Sequence, residues 1–64
     1  MTNIIYPEPG KEDQVIEAMK GLVKKGLMRE DEYILCLKLG GMPQKILTKI
    51  KIRMNLITVQ FISN

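Results

Sequence analysis

The sequence contains no histidine and no tryptophan, one cysteine (Cys36), one serine (Ser63), and no carboxylate side chain after Glu32. Each shortage removes a class of chemistry. General acid-base catalysis most often uses histidine. A lone thiolate can neither close an internal disulfide nor fill the four tetrahedral positions of a zinc site. Cys36 lies among leucines in Tyr33-Ile34-Leu35-Cys36-Leu37-Lys38-Leu39, surroundings expected to raise a thiol pKa rather than activate it. Ser63 is one residue from the end of the sequence, a poor position for a nucleophile. The carboxylates Glu12/Asp13 and Glu30/Asp31/Glu32 are local runs and read as a solvated helix start and a turn. Gly40-Gly41 lacks the lysine and Ser/Thr of a phosphate-cradling loop. The expectation is therefore a protein that is not an enzyme, with no catalytic residue, no metal and no cofactor.

Long apolar runs are also missing. No stretch approaches the roughly 18 residues that cross a bilayer, and the apolar start ends at once in Pro7-Glu8-Pro9-Gly10, unlike a signal peptide. A cytoplasmic protein without membrane contact is expected, with Cys36 reduced and in the core. At 64 residues the chain forms a single domain, 1–64, which buries only about 60% of its unfolded surface. Good packing or self-association must make up the difference, and a homodimer is expected.

The remaining sequence divides by period. Asn3-Ile4-Ile5-Tyr6 reads as a short strand stopped by prolines. From Lys11 to Lys25, Val15, Ile16, Met19, Leu22 and Val23 share one helical face, with Gly26 as the C-terminal cap. Tyr33, Leu35, Leu37 and Leu39 share one parity, as in a strand. A short helix competes there, since Arg29-Glu30-Asp31-Glu32 resembles a first turn. Lys49 to Leu56 alternates polar and apolar, and the alternation resumes in opposite phase at Ile57 to Phe61, consistent with strand and a bulge. Together these predict an α+β domain, β-α-β-β(-β). One amphipathic helix packs on a short antiparallel sheet, and Gly40-Gly41-Met42-Pro43 forms the hairpin connection. Met28 and Met42 fall in turns and are expected to be the most exposed methionines.

Charge is divided as sharply as period. Residues 1–32 hold five bases and seven acids, 5 − 7 = −2, whereas Lys38, Lys45, Lys49, Lys51 and Arg53 stand unopposed in the second half, +5. A basic segment without carboxylates is the footprint of a surface that meets a polyanion. In a strand, Lys49, Lys51 and Arg53 would project to one side about 7 Å apart, with Ile50, Ile52 and Met54 packed inward. Lys38 and Lys45 would extend the patch. Lysine on an edge strand also serves to discourage edge-to-edge pairing, an account that needs no ligand. With few aromatics, stacking on single strands is disfavoured, so duplex DNA bound through phosphates is the expected ligand.

Two further patterns bear on this. Gly21-Leu22-Val23-Lys24-Lys25-Gly26-Leu27-Met28 resembles the end of a winged-helix recognition helix running into its wing. Separately, Glu32 to Arg53 can form an all-α helix-turn-helix, with Gly40-Gly41 as the turn and Gln44 to Arg53 as the reading helix. Lys45, Lys49 and Arg53 then follow at i, i+4, i+8. The expected function is a small regulatory protein, of the kind found in phage or mobile elements and acting in transcription regulation, that binds DNA through a basic β-hairpin or strand face. The alternative is an inhibitor or adaptor of a larger protein, docking through apolar edge positions such as Val59 or Phe61.

Overall fold

The computed structural model describes the backbone of residues 3–63 and the side chains of residues 3–57. Val59 and Phe61 therefore lie outside the described side chains. The order of elements is β1 (Ile4–Ile5), α1 (Glu12–Lys24), α2 (Glu30–Leu39), β2 (Met42–Pro43) and α3 (Gln44–Ser63). The domain is mixed α and β but mostly helical, with three helices and one short antiparallel sheet among the described residues.

Helix α1 forms where the apolar stripe places it. Glu12 and Asp13 occupy its first turn and Lys24 its last, matching the helix dipole. Gly26 ends it at φ +78°. Gly26 N–H donates to the Val23 carbonyl and Leu27 N–H to the Leu22 carbonyl, the paired bonds of a Schellman motif. That turn folds Leu27 and Met28 back onto the core. Met28 is therefore buried rather than exposed, contrary to its place in a turn, and Met42 is half-buried.

The two strands expected over residues 33–39 and 49–61 do not form; both stretches are helical. Three acids in the first turn of α2 and three γ-branched leucines favour helix over strand there. Gly40, at φ +71°, closes α2, with Gly41 N–H donating to the Cys36 carbonyl. The alternating parity at Tyr33, Leu35, Leu37 and Leu39 proves incidental, because Cys36 and Glu32 point inward while all three leucines are exposed. In α3, Ile46 and Ile50 are buried and Ile52 and Met54 are exposed.

The sheet that does form is small. Met42 precedes proline and is held extended for that reason, and Met42–Pro43 pairs antiparallel with Ile4–Ile5, Ile4 opposite Pro43. Gln44 N–H then donates to the Asn3 carbonyl at 2.8 Å. This pins the start of α3 to the N-terminal strand. The core consists of Met19, Met28, Cys36, Ile46 and Ile50, with Val15, Ile16, Leu22, Val23, Tyr33 and Met42 packed against it.

Candidate functional site

The α2–Gly40-Gly41-Met42-Pro43–α3 segment has the plan of two helices joined by a four-residue connection containing glycine. A basic β-face is absent because its residues are helical. The cations instead fall around α3, at about 100° per residue. On the exposed side the order around the helix is Lys51, Gln44, Asn55, Thr48, Ile52, Lys45, Leu56, Lys49, all of them exposed. Lysines thus flank an arc of small polar side chains. The Thr48 hydroxyl donates to the Gln44 carbonyl at 2.9 Å. Lys38 is exposed in the last turn of α2. Lys49 and Lys51, expected on one side, are turned to opposite flanks.

Arg53 departs from the other cations. The lysine row Lys45, Lys49 advances about 40° with each four-residue step, so the third member turns into the domain. There Arg53 forms a bidentate pair with Glu32, Nη1 to Oε1 at 2.7 Å and Nη2 to Oε2 at 3.0 Å. Its Nη1 also donates to the Leu27 carbonyl at 2.9 Å. Glu32 Oε1 in turn accepts the Arg29 N–H at 2.9 Å, covering a free donor at the start of α2. One carboxylate therefore ties the loop after α1, the first turn of α2 and the middle of α3. The Glu32 side chain is only 10% exposed and that of Arg53 25%.

The Arg53 hydrogen bonds hold the Glu32 carboxyl down to about 2, from an ordinary 4.5, against the opposing effect of burial; the Arg29 N–H and the charge of Lys49 add to the lowering. A depressed carboxyl contributes stability that is complete above its unfolded pKa and is lost as pH falls through the folded value. Thermal unfolding is therefore expected at progressively lower temperature between about pH 4.5 and pH 2. Glu32→Gln should melt lower at neutral pH and lose most of this dependence. A parent and variant with parallel pH profiles would remove the pair from the account.

No ion pair involves Lys38, Lys45, Lys49 or Lys51 among the described residues; the others join Lys11 to Glu8 and Lys20 to Glu17. An apolar recess of about 120 Å³ between α1 and α2 is lined by Val15, Ile16, Met19 and Cys36, with Glu12 as its one carboxylate. Cys36 is 1% exposed, and burial, followed by the Glu32 charge, pushes its thiol up. The recess thus offers neither a thiolate nor a carboxylate pair.

The Glu32–Arg53 pair was not foreseen from sequence, where Glu32 reads as part of a solvated turn and Arg53 as a contact to nucleic acid. Its only signal is that the last carboxylate and the last base of the chain are the partners. Compared with protein-family models, with curated proteins and with solved structures, the chain shows no match.

Proposed function

We propose that the protein is a small non-enzymatic regulator that binds duplex DNA by laying the first half of α3 in the major groove. The observation that carries this reading is the exposed arc of α3, where Gln44, Thr48 and Asn55 lie between Lys51 on one flank and Lys45 and Lys49 on the other. A major groove about 12 Å wide admits one helix. Lysines on both flanks then meet phosphates on both walls, and the short polar side chains face base edges. In such an arrangement the preceding helix crosses the phosphate backbone, a position suited to Lys38. Arg53 is excluded from the contact set because Glu32 already neutralises it.

The test is fluorescence anisotropy of a labelled duplex across a salt series. Four phosphate contacts, from Lys38, Lys45, Lys49 and Lys51, predict a log-log slope of about −3.6, and Lys49→Gln should reduce its magnitude by about 1. Gln44→Ala and Thr48→Ala should leave the slope unchanged and weaken discrimination between sequences. Absence of binding at low salt would sink the reading.

A second reading, as an inhibitor or adaptor of a larger protein, draws on α2, where Ile34, Leu35, Leu37 and Leu39 are exposed. Under it, charge reversal on α3 leaves function intact and Leu35→Glu abolishes it.

A further inference from the structure

The middle of the outer arc of α3 is a single ridge. Gln44, Thr48 and Ile52 follow at i, i+4 and i+8, all three exposed. They span about 12 Å of helix axis at about 1.5 Å per residue, the length of roughly three to four base pairs stacked at about 3.4 Å. What each side chain can offer a ligand is set by local hydrogen bonds.

Gln44 is held at both of its backbone groups. Its N–H donates to the Asn3 carbonyl at 2.8 Å, and its carbonyl accepts the Thr48 hydroxyl at 2.9 Å. Its side-chain amide meets no partner among the described residues. A fixed backbone therefore presents a free donor and a free acceptor side by side. Thr48 uses its one hydroxyl proton on Gln44 and is left with a methyl group and an accepting oxygen. Ile52, 54% exposed, offers only carbon.

In the major groove adenine shows an N7 acceptor beside an N6 donor, thymine a methyl group, and guanine two acceptors. A glutamine amide matches the adenine edge with two hydrogen bonds, whereas against guanine its oxygen would face another acceptor. Threonine and isoleucine methyls match the methyl of thymine. The cationic side chains that read guanine lie elsewhere: Arg53 is held by Glu32, and Lys45, Lys49 and Lys51 are on the flanks.

We infer that α3 selects A·T base pairs, with Gln44 hydrogen-bonded to adenine and the methyls of Thr48 and Ile52 against thymine methyls. This names the ligand sequence class and rests on the proposed DNA contact of α3. The strand β1 then has a part in specificity, since its Asn3 carbonyl fixes the backbone from which Gln44 projects.

The test combines selection from a random duplex library with base analogues that change one major-groove group at a time. The selected sequences should share a run of A·T pairs. Replacing adenine by 7-deazaadenine removes N7 and should weaken the parent about fivefold, the effect of one hydrogen bond, while leaving Gln44→Ala unaffected. Replacing thymine by uracil should weaken the parent about fourfold for each methyl contact. It should have little effect on Thr48→Ser combined with Ile52→Ala, which keeps the hydroxyl bond to Gln44. All three positions are exposed and the backbone bonds of Gln44 stay in place, so the variants should retain the parent's circular dichroism. Neither analogue alters a phosphate, so the salt slope is expected to be unchanged. Binding with that slope but equal affinity for A·T and G·C duplexes would overturn the inference and leave the DNA contact standing. So would analogues that weaken the variants as much as the parent. Absence of binding at low salt would remove both.

Discussion

Reversing the charge at Arg53 is expected to leave little folded protein. Arg53→Glu removes three hydrogen bonds and sets a second carboxylate against Glu32 and the Leu27 carbonyl. Glu32 is then a nearly buried anion whose one strong counter-charge has become a repulsive neighbour, and removing one partner of a buried pair is far more costly than replacing both. Glu32→Gln is the milder companion, at about 2 kcal/mol, taken below the range for fully buried pairs because the site is partly wetted. A domain of this size has only about 3–10 kcal/mol in total. Circular dichroism at neutral pH should show a largely unfolded chain for Arg53→Glu, and exchange of the pair, Glu32→Arg with Arg53→Glu, should recover part of the loss. A well-folded single variant would mean that the pair is ornamental. Charge reversal at Arg53 is for this reason no test of DNA binding; Lys45 and Lys49 are the positions to change.

Gly41→Val should be nearly as damaging, through sterics rather than charge. A Cβ at Gly41 would lie 2.7 Å from the Ile5 carbonyl oxygen, 2.9 Å from Ile4 Cγ2 and 3.0 Å from Tyr6 Cδ1. The nearest of these is backbone and cannot rotate away, so β1 must move off β2. Overpacking of this kind costs about 1–3 kcal/mol, with alanine toward the lower end and valine toward the upper. The strand also holds the start of α3 through the Asn3 carbonyl, so the loss should spread to the helix that carries the lysines. Urea denaturation measures it directly, and a midpoint unchanged in Gly41→Val would show that β1 is dispensable.

Helix α1 was legible because every constraint on it is local: an apolar stripe, a dipole-matched charge pattern, and a glycine at the end. The two later helices were not, for separate physical reasons. In α2 the inward positions are Glu32 and Cys36, so a polar residue occupies a place where periodicity looks for an apolar one. Meanwhile leucines at Leu35, Leu37 and Leu39 face solvent and imitate a strand. In α3 the alternation Lys49-Ile50-Lys51-Ile52-Arg53-Met54 satisfies a strand, and the helical stripe is interrupted by Arg53. Only its partner, 21 residues away, explains why a base lies on the inward side. The basic residues themselves were legible, since the charge division is a property of sequence, but their arrangement in space followed the element type and changed with it. The Gly40-Gly41 turn of the all-α alternative falls where the chain does turn.

Charge separated along the chain becomes charge separated in space. Met19 of α1 and Ile46 and Ile50 of α3 are buried in one core cluster, and the lysines of α3 lie on its exposed side. The acids of residues 8–32 are interleaved with Lys11, Lys20, Lys24, Lys25 and Arg29 for a net −2, and the lysines of α3 lie on its outer arc. The molecule is consequently a dipole as well as a net cation of +3. Near a polyanion such a body feels a torque before it feels contact, and it arrives already turned with α3 forward. Added salt should then slow the approach to such a polyanion by screening this steering.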